Sequence, residues 1–559
     1  MFKSIKKHRD FFFLLLLVFG GLFLFAYRLN QIPPGLYVDE TTCAYNAYSI
    51  LKTSKDEYGK AFPVWFRLFG SYTPPLFIYS LVPLIALFGL KVWVIRLPSV
   101  LAGLAVIGLV FYFLKSISRK GSFLPYLGSL LLLICPWLVF YSRLGYEVTL
   151  AMAVFSFGVY WLYQGLSRPR FLLLGMVALS LSTYGAYTQR YLVPLFIIGF
   201  VVLFFKKIFQ ESNRKHFLLA CLLALLIQLP QLVLIGTPAF RVKGELLYSQ
   251  VISNYSVNHL GWLPYRLALI PSFVRELFSQ WASYFSPRSL FSLPDADLQR
   301  SVPELSVFYD WMLIPYLVGL WTLWQARKKD WAKLVFLWLL LAPLPAALVS
   351  DPFSTQRALP IFLPLLVVIS LGTEKLLLVF RRRYLRVLVF VFLMAYSLLF
   401  LWRSYFVFFP KERTLSWNWG YDQLAKIIQE SPDRHFVIDQ SRVKPIYIQL
   451  LFYWQYPPAK LHQILGPRVA DDYYQNTEFN SSYDLANVEI RPIIWEKDIY
   501  RDQVLIGDEL SISSQQAEEH FLEMLFEIKD PLDKLTFRAY QTNPDLKCQS
   551  GPTNPRCQF

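Results

Sequence analysis

The sequence predicts a mainly α, polytopic membrane protein with about eleven transmembrane helices, further helices lying at the interface, and an α/β domain at its C-terminal end. Three observations predict it. Hydrophobic residues make up 55% of the 559-residue chain and charged residues only 17%, against roughly 25% charged in a soluble domain. Apolar runs of span length alternate with short basic connectors as far as residue 408. Beyond that point the apolar runs shorten and charges become frequent. A membrane domain over 1–408 and an extracytoplasmic α/β domain over 409–559 follow.

Lys3, Lys6, Lys7 and Arg9 precede the first apolar run, 11–27, and no small-residue cleavage site follows it. It reads as a retained span with its basic start in the cytoplasm. The next spans are expected near 93–114, 123–141, 147–165, 171–187, 191–206, 216–235, 309–325, 331–349, 358–379 and 385–408. The basic runs 115–120, 168–170, 206–216, 327–329 and 381–383 then fall on one side, the cytoplasmic one. Segment 75–90 is apolar enough to span, but a span there would turn every later basic run outward. It reads as a helix at the outer interface or one entering part-way. The outer side collects 28–92, Arg143 to Glu147, Thr188 to Arg190, a long loop 236–308, Ser350 to Arg357 and the tail.

The net charge of +17 sits in short runs between apolar segments rather than on one face. This fits loops on an anionic leaflet and excludes a nucleic-acid partner. No inner loop is long enough for a nucleotide-binding domain, and neither G-x-x-x-x-G-K-[ST] nor G-x-G-x-x-G occurs. Cys135 and Cys221 lie in apolar runs as packing residues; Cys548 and Cys557 can close a small disulfide if the tail is outside. In the tail, 435–439 reads as a buried strand, 446–456 as an aromatic-rich helix, and 515–526 as an amphipathic segment with Phe521, Met524 and Leu525 on one side.

Asp39-Glu40, just beyond the first span, is the foremost chemical signal. Carboxylates at such a place serve chemistry or transport, or cap the helix that follows. Arg143 and Glu147 sit at the outer boundary between two spans, as an i,i+4 ion pair, an anchor or a site. Arg190, in Tyr187-Thr188-Gln189-Arg190, suits a lipid phosphate at headgroup depth or simply snorkels. Arg357 has a similar setting in Ser354-Thr355-Gln356-Arg357. Asp295-Ala296-Asp297 has the D-x-D form of nucleotide-sugar enzymes, yet no nucleotide sugar is expected outside the cytoplasm. His259 is a metal ligand or, more plainly, a loop residue.

The runs VDETTCAYNAYSILKTSKDEYGKAFPVWF, SYTPPLFIYSL, RLPSVLAG, SRLGYEVTLAM, YFSPRSLF and TQRALPIFLPLL, in this order, resemble the family 39 glycosyltransferases. These are the protein O-mannosyltransferases and the bacterial lipid A aminoarabinose transferases. The resemblance covers roughly 10–405 and implies the GT-C membrane fold and a sugar donor linked to a polyprenyl phosphate. It implies catalytic roles for Asp39, Glu40 and Glu147, and donor-phosphate contacts from Arg190, Arg357, Arg143 and Arg67. Tyr72, Tyr146 and Tyr187 are the expected sugar or acceptor contacts. Many relatives carry a lysine immediately before Pro-Pro in the first loop, where this chain has Thr73.

Asp39 is thus expected to act as general base on an acceptor hydroxyl. Glu40 would raise its pKa or join it in binding a divalent metal ion. The implied partners are the polyprenyl-phosphate sugar, membrane lipids, and an acceptor protein, lipid or cell-wall glycan. The implied location is a bacterial plasma membrane with the site facing outside. A lipid or solute transporter, and a polysaccharide ligase of related fold, are the alternative readings.

Overall fold

The computed structural model describes residues 2–559 except 120, 241–261, 352, 442–444, 468–469, 476, 478–481, 551–556 and 558–559. His259 lies outside the described residues. The first half is helical: α1 (Phe2–Ala26), α2 (Val38–Thr53), α3 (Pro75–Phe88), α4 (Val92–Ile117), α5 (Leu124–Leu133), α6 (Pro136–Tyr141), α7 (Val148–Gly165), α8 (Arg170–Ser182), α9 (Tyr187–Ile208) and α10 (Glu211–Leu232). Further helices run over Trp262–Ser283, Leu313–Gln325, Asp330–Leu341, Phe362–Val379 and Arg383–Leu401. One apolar core, from Leu17 to Trp417, joins most of these helices, and α2 and α3 pack in a second cluster with Val94 and Ile95 of α4.

Among the described residues, eight helices are long and apolar enough to cross a membrane. They account for eight of the eleven expected spans. The other three fall on shorter or broken helices. The expected span 123–141 is α5 and α6, interrupted at Cys135 because Pro136 has no N–H to continue the ladder. The span 171–187 is the 13-residue α8, and 309–325 is the 13-residue helix Leu313–Gln325. Segment 75–90 forms α3, whose 14 residues reach about 21 Å, short of the roughly 30 Å hydrocarbon core.

The expected long loop 236–308 is not all loop. It contains the 22-residue helix Trp262–Ser283. Arg266, Arg275 and Glu276 interrupt its hydropathy, but Ile270, Val274 and Phe278 recur every fourth residue and are all exposed. The period was present in the sequence, and hydropathy averaging hides it.

Two helices approach backbone to backbone. A Cβ added at Gly319 would lie 1.9 Å from the Val368 carbonyl oxygen, and one at Gly372 would lie 1.8 Å from that of Pro315. Small residues permit such contacts between membrane helices, where dispersion replaces the hydrophobic drive. Gly372→Leu is expected to destabilise the protein by about 1–3 kcal/mol or more, because backbone must move. Thermal unfolding in detergent against Gly108→Ala, where an added Cβ meets nothing within 4 Å, measures it.

The C-terminal part is built on a six-stranded mixed sheet. Its strands are β3 (Phe436–Ile438), β4 (Tyr483–Leu485), β5 (Val488–Ile490), β6 (Val504–Gly507), β7 (Glu523–Lys529) and β8 (Leu535–Gln541), in the order β4-β5-β3-β6-β8-β7. A short hairpin in the first loop supplies β1 (Phe66–Leu68) and β2 (Ser71–Thr73). The expected strand 435–439 is β3, and 446–456 is the helix Tyr447–Trp454. Segment 515–526 is not one amphipathic element. The helix Ser514–Glu519 stops, Phe521 takes a positive φ of 55°, and β7 begins at Glu523. Cys548 and Cys557 form a disulfide.

This sheet unit grips the first loop. Asn418 and Gln449 amides donate to the Leu36 carbonyl at 2.8 and 3.1 Å. The Tyr473 hydroxyl donates to the buried Asp56 carboxylate and accepts from the Arg67 N–H at 2.7 Å, while its carbonyl accepts from the Tyr72 hydroxyl at 2.6 Å. The loop that leads into Asp39 is therefore held from both sides.

Candidate active site

Glu40 fixes the start of α2. Glu40 is fully buried and forms an ion pair with Arg96 of α4, at 3.0 and 3.1 Å. It also accepts the Tyr37 N–H at 3.0 Å and the Gly145 N–H at 2.6 Å. One carboxylate thereby ties the helix start to α4 and to the 143–147 turn. Arg96 completes the clamp by donating to the carbonyls of Leu29, Pro33 and Gly35. Helical geometry sends neighbouring side chains about 100° apart, so Asp39 faces elsewhere.

Asp39 faces a cavity of about 440 Å³. Its wall holds Tyr37, Asp39, Glu147, Tyr187, Asp297, Arg300, Asp351 and Arg357. Glu147 stands immediately before α7, at its N-cap, and Tyr187 in the first turn of α9. Phe273, from the helix in the 236–308 segment, closes part of the rim.

The cationic side of the wall is a network. Arg300 bonds Asp351 through both terminal nitrogens, at 2.7 and 3.2 Å, and lies 3.2 Å from Asp297 and 3.5 Å from Asp295. Arg357 bonds the same Asp351 at 2.5 Å. Asp295 is buried and accepts from the Thr355 N–H and hydroxyl at 3.0 and 2.8 Å. Burial alone would raise the Asp351 carboxyl, but the hydrogen bonds and charge of the two arginines hold it below the ordinary value. Burial would lower Arg300, yet Asp351 and Asp295 hold it above its ordinary value. The Arg300 guanidinium therefore stays cationic at any working pH. Tyr37 links the two sides: the negative charge of Asp39, then burial, pushes its hydroxyl well up, with Asp297 and Glu147 adding to this.

Of the expected site residues, Asp39, Glu147, Tyr187 and Arg357 meet on this cavity. Glu40, Arg143, Arg190, Arg67, Tyr72 and Tyr146 are not on its wall. Arg143 is buried, donating to the carbonyls of Leu24, Tyr27 and Ile32 under the rings of Tyr405 and Phe406. Those contacts fasten the end of α1. Arg190 stacks on Trp65 and bonds the carbonyls of Ala239 and Phe240. Arg67 lies over the Tyr58 ring, Tyr72 bonds the Tyr473 carbonyl, and Tyr146 packs on Tyr37. Thr73 is buried in β2, away from the wall. Arg300 and Asp351 are wall residues the sequence reading missed, and Asp297 is one it set aside. The D-x-D spacing was the one available signal, and it serves Arg300 rather than a nucleotide. Among the described residues, no cluster of three or more His, Cys, Asp or Glu is placed to hold a metal ion.

The architecture matches known folds. The crystal structure of ArnT from Cupriavidus metallidurans bound to undecaprenyl phosphate aligns with a TM-score of 0.53, over 94% of this chain and 97% of that one, at 14% identity. Its apo form gives 0.52 over the same shares, also at 14% identity. The archaeal oligosaccharyltransferase AglB from Archaeoglobus fulgidus, in complex with an inhibitory peptide and a dolichol-phosphate, aligns at 0.49 over 95% of this chain and 74% of that one, at 13% identity. No curated protein matches the sequence. Residues 72–234 match the family model for dolichyl-phosphate-mannose-protein mannosyltransferases. The chain has the GT-C fold of the solved ArnT structures, and over 72–234 it resembles the dolichyl-phosphate-mannose-protein mannosyltransferases.

The matched segment contributes Glu147, Tyr187, Thr188 and Tyr191 to this cavity, whereas Asp39 and the arginines lie outside the matched segment.

Proposed function

We propose that the chain moves a sugar from a polyprenyl-phosphate donor to an acceptor hydroxyl on the extracytoplasmic face, with Asp39 as general base. One observation carries this reading: a single cavity holds a carboxylate at the start of α2 and two arginines fixed by Asp351. Transfer needs a base for the incoming hydroxyl and positive charge for the departing phosphate. A lipid phosphate is stable as an anion, so it calls for charge stabilisation more than for a proton.

The acceptor oxygen attacks the anomeric carbon while Asp39 takes its proton. The bond from that carbon to the phosphate oxygen breaks, and the electron pair leaves on the phosphate. Arg300 and Arg357 receive it through N–H groups not engaged by Asp351. Asp351 keeps the two forks in place before the donor arrives, which is preorganisation. Glu147 and Tyr187 border the space for the sugar, and Glu147 accepts a sugar hydroxyl. A single displacement inverts the anomeric configuration; recovery of product with retained configuration would sink that step.

Release of free polyprenyl phosphate from a panel of polyprenyl-phosphate sugars, with membrane extract as acceptor, tests the activity and names the sugar. No release from any donor would overturn the reading. Arg357→Gln is expected to raise the donor KM roughly ten- to hundredfold, the worth of one hydrogen bond to a charged group. Asp351 keeps Arg300 as its partner in that variant, so folding should survive. A donor titration that gives an unchanged KM would remove Arg357 from phosphate binding.

A further inference from the structure

A second cavity, of about 690 Å³, lies at the other end of the helices. On α4, Lys115 pairs with Asp10 of α1, beside Arg9, whereas Arg96 pairs with Glu40, beside Asp39. At 1.5 Å per residue, about 28 Å of helix separates these two layers. That is close to the roughly 30 Å of a bilayer's hydrocarbon core. The second cavity opens between α1, α5 and the helices Phe362–Val379 and Arg383–Leu401, and its wall includes Arg9, Arg383 and Arg386. The rest of the wall is largely apolar, with Phe13, Leu130 and Phe390 among its residues.

We propose that this cavity binds an anionic glycerophospholipid, its phosphodiester against the three arginines and an acyl chain along the apolar wall. Charge complementarity selects the occupant. Three cations line the space and, among the described residues, no carboxylate does. The nearby acids are already engaged: Asp10 by Lys115 and the Tyr126 hydroxyl, and Glu374 by the Ser122 hydroxyl and the Leu124 N–H. Tyr126 also accepts from Arg9 at 2.7 Å and lies beneath its guanidinium, which holds that cation at the cavity. Arg386 is anchored through Nε to the Phe380 carbonyl at 2.7 Å, which leaves its terminal nitrogens as further donors. A basic pocket between membrane helices at headgroup depth recognises a phosphate and its acyl chain together. A lipid there would join α1 to the Arg383–Leu401 helix, which is otherwise broadly exposed, as at Leu388 and Phe392.

The test is retention of lipid by the full chain. Purified protein is equilibrated with an equimolar phosphatidylglycerol and phosphatidylcholine mixture in detergent, repurified, and weighed by native mass spectrometry. Wild type is expected to keep phosphatidylglycerol and to shed phosphatidylcholine. Arg9→Gln/Arg383→Gln/Arg386→Gln should lower retention by on the order of tenfold or more. Arg381→Gln/Arg382→Gln, which changes exposed cations outside the cavity, should retain as wild type does. If the triple variant does not fold, Leu130→Trp, which fills the apolar part without altering charge, should reduce retention instead. Unchanged retention in the folded cavity variant overturns the proposal. So does an equal loss in the Arg381/Arg382 control, equal capture of phosphatidylcholine, or preference for polyprenyl phosphate added to the same mixture.

Discussion

Asp39→Asn is expected to lower the transfer rate by about a hundred- to ten-thousandfold, the usual contribution of a positioned base, while donor affinity changes little. The substitution keeps shape and one acceptor oxygen but cannot take a proton. Glu40, not Asp39, holds the N–H groups of Tyr37 and Gly145, so the helix start should persist. The paired readout is the rate of polyprenyl phosphate release and the dissociation constant of the donor. A rate within a few-fold of wild type would remove Asp39 from proton transfer. Lost donor binding at an unchanged rate under saturation would make it a sugar contact instead.

The same cavity predicts opposite behaviour for its acids. Asp351 is held below the ordinary value and faces two arginines, so it stays ionised throughout the working range. Its loss should therefore act through the arginines, as weakened donor binding, and add no new pH limb to the rate.

Membrane helices were legible because their signal is local. Runs of span length with basic connectors mark eight span-length helices directly. The other three expected spans fall on shorter or broken helices, because a hydropathy run does not register an interruption such as Cys135-Pro136. The helix Trp262–Ser283 was missed for the converse reason, since three charges dilute an apolar stripe that only a period of 3.6 brings out. In the tail, the residues around Phe521 fit a helix face as well as a turn into β7, and only pairing with β8 decides between them.

The site was legible where position alone marked a residue. Asp39 is conspicuous because it follows the first span. Arg300 carries no such mark, because its partners Asp351 and Ser354 lie about fifty residues away and the connection exists only after folding. Glu40 and Arg143 show the limit of the same rule. A charge at a membrane boundary can be spent on backbone carbonyls and a buried ion pair, and the sequence does not distinguish that use from catalysis.

Arg96→Leu is expected to cost about 3–5 kcal/mol of stability, because it leaves the Glu40 carboxylate buried without its cation. Four backbone and carboxylate partners depend on this one guanidinium: Leu29, Pro33, Gly35 and Glu40. Glu40→Leu should also destabilise, by orphaning the N–H groups of Tyr37 and Gly145 and by leaving Arg96 unpaired. The double variant separates a positioning role from a catalytic one. If Glu40 acts only by fixing the start of α2, Arg96→Leu/Glu40→Leu should be more stable than the sum of the single losses predicts, since neither buried charge is then left alone. Full recovery is not expected, because the three carbonyls still lack their donor. Thermal unfolding of the four proteins gives the coupling. Activity per folded molecule supplies the second axis: Glu40→Gln, which retains acceptor oxygen and shape, should keep most of its rate, and a loss as large as that of Asp39→Asn in a protein of unchanged stability would place Glu40 in the chemistry after all.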